Sequence, residues 1–397
     1  MKKYHCDVVV VGGGPGGSMA AKYCARGGLD TIMIEKKAEI GAPLRCAEGV
    51  SKKWLEEVDI TPDPAWISTD MKGAIIRSPS GHTFKLDESQ AGNEVGYVLE
   101  RHLFDKHLAQ EAGRAGARIM MRTAARGVIR DKAGKLIGIK AESMGEPIEI
   151  YAKCVVAADG FESQVGRWAG MDTSLDQADI LTCAQYRMSG IDIEDEYCEF
   201  IIGGAAPGGY LWIFPKGNGM ANVGLGILAT KLKGGKTPID YLNEYIAKDP
   251  RLSEGTVTEI SSGMVSGCPG LDETVGDNII LVGDAARIID PLTGGGICHA
   301  CRTGMYAGKV LTECNKTGDF SKEALKPYEK MWRDRMEDKL IRNYMAKERF
   351  ATVDNDTLDD LVLMIQDSDI SEVNVWNLLK VVKEKYPELV EGFEDLI

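Results

Sequence analysis

The segment CDVVVVGGGPGGSMAAKYCARGGLDTIMIEKK, residues Cys6–Lys37, contains the parts of a βαβ unit in chain order. The apolar run Asp7–Val11 predicts a strand that is buried on both faces, as in a parallel sheet. A glycine-rich turn follows it, then a helix over Ser18–Arg26 and a second apolar strand over Thr31–Ile34. Because parallel strands joined by helices build doubly wound sheets, the segment predicts an α/β fold with a Rossmann-like domain.

The turn has the spacing G-x-G-x-x-G at Gly12, Gly14 and Gly17. Glycines in this pattern permit a tight turn, the close approach of a pyrophosphate and close helix–strand packing. The helix that follows directs free N–H groups at the phosphates. Glu35, at the end of the second strand, is placed to accept hydrogen bonds from ribose hydroxyls and would repel the 2′-phosphate of NADP. The motif predicts a bound dinucleotide, and alone it does not distinguish FAD from NAD.

Two later segments extend the predicted nucleotide site. In CVVAADGFESQVGRWAG (Cys154–Gly170) a strand leads to Asp159, and in NIILVGDAARIIDPLTGGGICHACRTG (Asn278–Gly304) a strand leads to Asp284. An aspartate that directly follows a strand can accept a hydrogen bond from a sugar hydroxyl. The helix opened by the glycines around Gly295 can stabilise a second electron-rich group, such as the pyrimidine edge of a flavin.

The three motifs, in this order, resemble those of the FAD-dependent aromatic-hydroxylase superfamily, which has the p-hydroxybenzoate hydroxylase fold. The resemblance implies a Rossmann-like FAD-binding domain, an inserted antiparallel β-sheet substrate domain and, in this chain, a helical carboxyl-terminal region. The stretch YVLERHLFDKHL (Tyr97–Leu108) is similar to a superfamily helix whose arginine, here Arg101, contacts FAD. The residues expected to bind FAD are Gly12, Gly14, Pro15, Gly16, Gly17, Glu35, Lys36, Arg45, Cys46, Ala47, Gly49, Arg101, Ala125, Asp159, Gly283, Asp284, Gly295, Gly296 and Ile297.

No repeat or low-complexity linker separates these motifs, so we expect the FAD-binding domain to be discontinuous. Strands near Lys72–Leu86 and Leu181–Thr258, with hairpin turns at Arg77–Gly81 and Lys216–Gly219, predict the inserted sheet. The last part of the chain is helical in pattern, with a long helix that starts near Asp319. The predicted domains are residues 1–70, 97–180 and 265–310 for FAD binding, 71–96 and 181–264 for the sheet, and 311–397 for the helical region.

Two further segments indicate which family within this superfamily the chain resembles. GAPLRCAEGVS (Gly41–Ser51) follows the second strand, and PGGYLWIFP (Pro207–Pro215) fits the pattern P-x-x-Y-x-W-x-F-P. Both are similar to segments of the archaeal geranylgeranyl reductases. This resemblance implies FAD-dependent reduction of the isoprenoid C=C bonds of digeranylgeranylglycerophospholipids, with the hydride coming from N5 of reduced flavin.

The aromatic residues of PGGYLWIFP occupy every second position, at Tyr210, Trp212 and Phe214, so a strand would direct all three rings to one face. Alternating rings on a strand are more often part of a core. Here the nearby glycine pairs, including Gly208-Gly209, favour a lined cavity in which the three residues bind an isoprenoid chain. Such a chain gains about 0.8 kcal/mol for each buried CH₂ group.

Reduction of an isolated alkene needs a hydride at one carbon and a proton at the other. The candidate proton sources are Cys46, which we expect near the isoalloxazine, Tyr210 and water. The rings of Tyr210 and Trp212 can stabilise positive charge that develops on the alkene. The catalytic residues predicted from these arguments are Cys46, Tyr210 and Trp212.

The formal net charge of −13 argues against a nucleic-acid partner and against a polybasic membrane anchor. The longest apolar runs, such as Val8–Val11 and Leu361–Ile365, are too short to span a bilayer, so we expect a cytoplasmic protein. An apolar contact with the inner face of the membrane stays open, and an amphipathic stretch over Ser371–Tyr386 could supply it. Most amphipathic stretches of this kind face a core, which is the preferred interpretation. The alternative is that this stretch, or Leu361–Ile365, covers a lipid tunnel or makes the membrane contact.

The ten cysteines are too sparse for a disulfide framework, and their spacing predicts no metal site. The pair in CHAC, Cys298 and Cys301, has the spacing of a redox-active dithiol. The preferred interpretation is two small residues that pack beside the glycine-rich turn.

Three functions are compatible with these motifs. The first is the lipid reductase, with a geranylgeranyl ether lipid as substrate and NAD(P)H or reduced ferredoxin as electron donor. The second is a flavin monooxygenase or halogenase that acts on an aromatic substrate, and the third is a flavin-bearing electron carrier or lipid-binding protein. Oxygen dependence and product mass distinguish the first two, because reduction adds hydrogen and oxygenation adds oxygen.

Overall fold

A computed structural model describes residues 1–87, 96–367, 380, 382–383 and 385–389. The described strands are β1 (Lys2–His5), β2 (Val8–Val11), β3 (Thr31–Ile34), β4 (Gly49–Ser51), β5 (Ile67–Asp70), β6 (Gly73–Arg77), β7 (Thr83–Asp87), β8 (Gly96–Leu99), β9 (Arg118–Met120), β10 (Thr123–Arg130), β11 (Leu136–Ser143), β12 (Glu146–Tyr151), β13 (Cys154–Ala157), β14 (Ile180–Ser189), β15 (Tyr197–Ile202), β16 (Tyr210–Gly217), β17 (Met220–Leu228), β18 (Thr256–Ser266), β19 (Val275–Gly276) and β20 (Ile279–Leu281). The described α-helices are α1 (Pro15–Arg26), α2 (Lys52–Glu57), α3 (Arg101–Arg114), α4 (Gln164–Trp168), α5 (Pro238–Lys248), α6 (Ile297–Thr317), α7 (Lys322–Trp332), α8 (Asp338–Phe350) and α9 (Asn355–Asp367). This mixture of sheets and helices confirms the predicted α/β class.

The chain forms two compact units, each assembled from three segments. The first unit contains Met1–Ala42, Arg101–Ser174 and Cys268–Ile341. The second contains Pro43–Glu100, Leu175–Gly267 and the described residues from 342 onward.

The first unit is built on a six-stranded sheet of order β19-β20-β13-β2-β3-β9. Its central pairs are parallel, and all four residues of β2 are buried, as the apolar run Val8–Val11 predicts. Helix α1 begins at Pro15, earlier than the predicted Ser18, because the fixed φ of proline suits the first helical turn. A second sheet of order β1-β12-β11-β10 completes the strands of this unit.

Helices α1 and α6 pack closely against each other in the first unit. Their contact depends on glycines of α6: a Cβ atom at Gly304 would lie 2.1 Å from the Gly16 carbonyl oxygen, and one at Gly308 would lie 2.5 Å from Cβ of Tyr23. Because α1 starts at the glycine-rich turn, this packing fixes the direction of its amino terminus.

The second unit is built on a seven-stranded sheet of order β18-β14-β17-β16-β15-β6-β7. Both predicted hairpins are present, β6–β7 around Arg77–Gly81 and β16–β17 around Lys216–Gly219. The pair β6–β15 is parallel, unlike its neighbours, which is possible because no hairpin connects these two strands. A small sheet of order β4-β8-β5 belongs to the same unit.

The two faces of the seven-stranded sheet have different coverings. Alternate residues such as Leu211 and Ile213 form one apolar cluster that includes Leu242 of α5. The opposite face carries Trp212 and Phe214 in a second cluster. The remaining buried members of that second cluster are Met71, Phe84, Leu86, Val98, Cys198 and Val362.

The helical carboxyl-terminal region is shared between the two units. The predicted long helix is present from Lys322, with Ser321 capping its first turn and a π-helical turn over Arg333–Glu337 joining α7 to α8. Residues up to Ile341 belong to the first unit because side chains of α7, such as Tyr328 and Trp332, are buried in its core. The described chain therefore divides differently from the predicted helical domain of residues 311–397. The stretch Ser371–Tyr386 lies largely outside the described residues.

The compact units also differ from the predicted boundaries at residues 43–70. These residues contribute β4 and β5, which pair with β8, and they group with the seven-stranded sheet. Within the described ranges, no helix combines the length and apolar character needed to cross a bilayer.

Candidate functional site

The glycine-rich turn of the first unit has the shape that a pyrophosphate requires. A Cβ atom at Gly12, whose φ is +110°, would lie 2.2 Å from the Ala158 carbonyl oxygen, and one at Gly17 would lie 1.9 Å from the Gly12 carbonyl oxygen. At Gly14, by contrast, a Cβ atom would meet no protein atom within 4 Å. Gly14 is the N-cap of α1 and provides no side-chain cap, so the turn presents backbone N–H groups to open space.

Glu35 holds this turn in place. Its side chain is buried; Oε2 accepts a hydrogen bond from the Gly13 N–H and Oε1 accepts one from the Lys37 N–H, both at 2.8 Å. Each carboxylate oxygen can accept more than one hydrogen bond, so the predicted contact with a ribose remains compatible with this arrangement. Lys36 is exposed and lies 4.0 Å from Glu162.

Asp159 carries a buried oxygen that is free to accept or donate a further hydrogen bond. Its Oδ2 accepts a hydrogen bond from the Val165 N–H at 2.9 Å, whereas Oδ1 has no partner in the described structure. Burial raises the pKa of this carboxyl group. The backbone of Asp159 lies next to Gly12, so the orphaned oxygen adjoins the phosphate-binding turn. A buried polar atom without a partner is the feature expected where a ligand binds.

Asp284 lies where helix α6 begins. A Cβ atom at Gly296 would be 3.3 Å from its Oδ1, and Ile297 starts the helix. Burial raises the pKa of Asp284, and the positive charges of Arg101 and Arg287 oppose that rise. The first unit thus brings together Arg101, Asp284 and the α6 amino terminus, as the sequence predicts for a flavin site.

Arg101 and Ala125, both predicted to bind FAD, also have defined partners within the first unit. Arg101 forms a two-point ion pair with Asp105, at 3.1 and 2.7 Å. Ala125 lies in β10, and that strand begins where the Thr123 N–H donates to the Glu35 carbonyl oxygen at 2.8 Å.

The glycine-rich turn, the orphaned oxygen of Asp159 and the open α6 terminus together fit a dinucleotide such as FAD.

The other predicted contacts, Arg45, Cys46, Ala47 and Gly49, belong to the second unit. They form a turn that lies on the seven-stranded sheet, with the Arg45 side chain 3.7 Å from a Cβ atom built at Gly263 of β18. Their contact with FAD stays a prediction.

Glu48 lies within this turn, is fully buried, and is not among the site residues predicted from the sequence. Its side chain has 0% exposure, and Oε2 accepts hydrogen bonds from Arg187 at 2.8 Å, Lys216 at 2.7 Å and Asn222 at 2.7 Å. Lys216 also lies 2.8 Å from Glu100, so two cations face two carboxylates. Such pairing is what makes buried charges tolerable.

The backbone of the turn is held as firmly as its side chains. The Cys46 carbonyl oxygen accepts from Gln185 Nε2 at 3.0 Å, and the Ala47 carbonyl oxygen accepts from Asn222 Nδ2 at 3.1 Å. The Glu48 N–H donates to Cys46 Sγ at 3.2 Å. Cys46 itself is half-buried.

Gln185 connects the turn to the aromatic residues. Trp212 Nε1 donates to Gln185 Oε1 at 2.9 Å. In the sheet register, Gly224 of β17 pairs with Gln185 on one side and with Trp212 on the other. The absence of a side chain at Gly224 lets the two side chains meet across the intervening strand, since a Cβ atom there would lie 2.6 Å from the Trp212 ring.

The three predicted rings face one side of the sheet, as the alternation indicates. Tyr210 and Trp212 have ring centroids 5.9 Å apart, and Phe200 lies 5.5 Å from Tyr210 and 5.4 Å from Phe214. Trp212 and Phe214 are 9% and 8% exposed, whereas Tyr210 is half-buried. Tyr210 is therefore the most accessible of the three.

The expectation that glycines leave open space before the rings is wrong. A Cβ atom at Gly203 would lie 2.5 Å from Pro79, one at Gly208 would lie 2.7 Å from Leu228, and one at Gly209 would lie 2.1 Å from the Gly226 carbonyl oxygen. These glycines are needed because neighbouring segments approach them closely.

The polar residues that support the turn are recognisable in the sequence, because they lie within predicted buried strands. Gln185 and Arg187 occupy alternate positions of a strand that is otherwise largely apolar, and Lys216 and Asn222 flank a hairpin in buried strands. A polar residue at a buried strand position needs a partner. The sequence does not identify that partner as Glu48.

The CHAC segment packs as the preferred interpretation predicts. Cys298, His299 and Cys301 are buried, and burial raises the pKa of the Cys301 thiol well above its usual value. Burial lowers the pKa of His299 to about 3, and its Nδ1 lies 3.0 Å from Met336 Sδ. A thiol that resists ionisation is a poor nucleophile, so Cys301 is poorly suited to dithiol catalysis.

Comparison with known proteins gives matches at the level of families, sequences and structures. Residues 179–265 match the geranylgeranyl reductase catalytic domain, and residues 7–204 match the FAD dependent oxidoreductase family. A digeranylgeranylglycerophospholipid reductase from Thermoplasma volcanium is 46% identical over 98% of this chain and 99% of its own.

Among solved structures, a geranylgeranyl bacteriochlorophyll reductase-like protein from Thermoplasma acidophilum is 46% identical, with a TM-score of 0.95 over 100% of both chains. A triple mutant of a flavin-dependent brominase has a TM-score of 0.71 over 96% of this chain and 99% of its own. At 17% identity, the brominase shares the fold alone.

Proposed function

The chain belongs to the geranylgeranyl reductase family of FAD-dependent oxidoreductases, and from this membership we propose how its residues carry out the reaction. It is an FAD-dependent enzyme that reduces isoprenoid C=C bonds of digeranylgeranyl glycerophospholipids. The observation that carries this conclusion is the match of residues 179–265 to the catalytic domain, because that range contains the aromatic residues of PGGYLWIFP. The distant brominase does not favour the halogenase alternative.

In the nucleotide-binding unit, the residues have separate tasks toward the cofactor. Reduced FAD, when bound, supplies a hydride from N5. The turn at Gly12–Gly17 would hold its pyrophosphate with backbone N–H groups, and Glu35 and Asp159 would accept hydrogen bonds from its polar groups. The amino terminus of α6, at Ile297, would stabilise negative charge on the reduced ring system.

In the sheet unit, Tyr210, Trp212 and Phe214 would contact the isoprenoid chain. Their rings form one apolar surface, and the half-buried Tyr210 is its most accessible member. Ring faces also attract positive charge, so Tyr210 and Trp212 would stabilise the cationic character that the alkene gains as it is protonated.

Cys46 would supply the proton. The alkene carbon that does not receive the hydride takes the thiol proton, the S–H bond breaks as the C–H bond forms, and the resulting thiolate is reprotonated by water. The half-buried position of Cys46 and the hydrogen bond from the Glu48 N–H to its sulfur support this role. Tyr210 and water are the alternative donors.

We propose that electrons reach FAD from NAD(P)H or reduced ferredoxin. The glycine-rich turn at Gly12–Gly17 is the one full dinucleotide fingerprint in the sequence, and FAD would occupy it, which favours a donor that binds transiently. The substrate is a lipid, so a peripheral contact with the inner face of the membrane is part of the same proposal.

An anaerobic single-turnover experiment tests the function. The protein is reduced chemically, a geranylgeranyl ether lipid is added, and flavin reoxidation is followed together with the mass of the lipid. We expect reoxidation and a gain of two hydrogens for each double bond reduced. A flavin that stays reduced beside an unchanged lipid would overturn the assignment, and a product that contains oxygen after aerobic turnover would favour a monooxygenase.

A further inference from the structure

We propose that Glu48 is a positioning residue for the double-bond reduction: its buried carboxylate holds the turn Cys46–Glu48 in the conformation that orients the Cys46 thiol. The inference rests on the proposed function, in which Cys46 supplies the proton. Glu48 has no exposed surface, so it acts through Cys46 and does not touch the substrate.

The backbone conformation of Glu48 shows that the turn is held against its own preference. Its φ is +78°, in the left-handed region where a residue with a side chain pays about 1–2 kcal/mol relative to glycine. Turns of this kind usually contain glycine or asparagine at that position. A glutamate there must be stabilised by its side-chain contacts.

The contacts that stabilise this conformation of Glu48 come from three different strands. Arg187 of β14, Lys216 of β16 and Asn222 of β17 all donate to Oε2 of Glu48. The Leu99 N–H donates to the Glu48 carbonyl oxygen at 2.9 Å, which ties the following peptide to the small sheet. The carboxylate therefore fixes the turn relative to the strands that carry the aromatic residues.

The consequence for Cys46 is a defined thiol position. The Glu48 N–H occupies one lone pair of the sulfur at 3.2 Å, while Gln185 holds the Cys46 carbonyl oxygen. With these two bonds in place, the sulfur atom has a defined position relative to the turn backbone. A proton donor that is displaced by about 1 Å can lose on the order of 100-fold in rate, so loss of this anchoring should lower turnover.

A matched pair of substitutions separates positioning from ordinary stability. Glu48→Gln keeps the shape and removes the charge. Glu199→Gln makes the same change at another buried carboxylate of the same unit, which is held between Arg77 at 3.1 Å and Arg251 at 2.6 Å and, in the described structure, has no bond to the Cys46 turn. Both variants should lose thermal stability, because each removes one buried carboxylate from between two cations; Arg187 and Lys216 keep Glu100, and Arg251 keeps Asp249.

Two readouts are then compared in the full-length FAD-loaded enzyme. The first is the rate at which iodoacetamide alkylates Cys46, measured by mass spectrometry of its peptide; the second is the split between kcat and KM for the geranylgeranyl ether lipid. For Glu48→Gln we expect a changed alkylation rate and a kcat lower by about 100-fold, with KM little affected. For Glu199→Gln we expect both readouts to match the wild type.

Other outcomes overturn the proposal. Equal alkylation rates and equal kcat values for the two variants would show that Glu48 has only a structural role, and so would a changed alkylation rate with wild-type kcat. If Glu48→Gln does not fold, Glu48→Asp keeps the charge but shortens the side chain, and it must show the same two changes. The alkylation comparison needs no lipid, so it remains informative even if the wild-type enzyme fails to reduce the substrate and the proposed function is wrong.

Discussion

Trp212 and Gln185 meet across an intervening strand, with Trp212 Nε1 donating to Gln185 Oε1 at 2.9 Å. The same amide donates to the Cys46 carbonyl oxygen at 3.0 Å. One side chain thereby links the aromatic surface to the cysteine turn. The link exists because Gly224, which pairs with both residues in the sheet, has no side chain to separate them.

Gly224→Ala should break this link. The added methyl group would lie 2.6 Å from the Trp212 ring, so the indole must move and leave Gln185 Oε1 without its buried donor. An unsatisfied buried polar group costs about 1–3 kcal/mol, and we expect a loss of that size in urea unfolding together with a change in tryptophan emission. Gly226→Ala is the control, because its methyl group would lie 3.2 Å from Cys183 Sγ and 3.9 Å from the Trp212 ring, which is ordinary contact with the indole and not a clash. Equal behaviour of the two variants would contradict the prediction.

Gly14→Ala and Gly17→Ala should separate FAD binding from folding. At Gly14 the new methyl group points into open space, so the stability of the protein without FAD should be unchanged while FAD affinity falls. At Gly17 the methyl group would lie 1.9 Å from the Gly12 carbonyl oxygen, so both stability and affinity should fall. Flavin absorbance retained after ultrafiltration and thermal unfolding of the FAD-free protein are the measurements. Full FAD retention by Gly14→Ala would place the pyrophosphate elsewhere.

Cys46→Ser should lower lipid reduction without loss of FAD. General-acid catalysis contributes about 100-fold or more to a rate. Because a serine hydroxyl is a weaker acid than a thiol, the turnover rate of the variant should fall by up to about 100-fold. Cys6→Ser is the control: Cys6 is half-buried like Cys46, and it lies in the first unit, where its thiol contacts the Tyr151 carbonyl oxygen. Single-turnover flavin reoxidation measures the step directly. Unchanged turnover in Cys46→Ser would remove Cys46 from the chemistry and leave Tyr210 or water as the donor.

His299 should make the folded state sensitive to mild acid. Burial lowers its pKa from 6.5 to about 3, so below pH 6.5 the unfolded chain binds a proton that the folded chain does not. The contribution of His299 to the free energy of unfolding is therefore fully present above pH 6.5. Below that pH the contribution falls by about 1.4 kcal/mol per pH unit. Urea unfolding of wild type and His299→Gln at pH 7 and pH 5 measures the difference. The variant should lose less stability than the wild type over this interval; a parallel loss would show that His299 is protonated in the folded protein.

Local sequence patterns were enough to predict several elements. The apolar run at Val8–Val11 predicts a strand buried on both faces, and the structure places it in the middle of a parallel sheet. The alternation of Tyr210, Trp212 and Phe214 predicts that their rings share a face, which they do. Both results depend only on the repeat of a strand and on the apolar character of neighbouring residues.

The surroundings of the cysteine turn could not be predicted in this way. Glu48 is separated by 139, 168 and 174 residues from Arg187, Lys216 and Asn222, and the sequence does not indicate that these four side chains meet. The meeting requires a particular strand order, β14-β17-β16, and a particular register.

The sequence by itself determined the nucleotide-binding turn, the class of fold and the face on which the aromatic rings lie, because each follows from residues close together in the chain. The tertiary structure decided which carboxylate anchors Cys46 and which amide joins it to Trp212. Hydrogen bonds between distant strands depend on order and register, and those are set by the packing of the whole sheet and not by any local pattern.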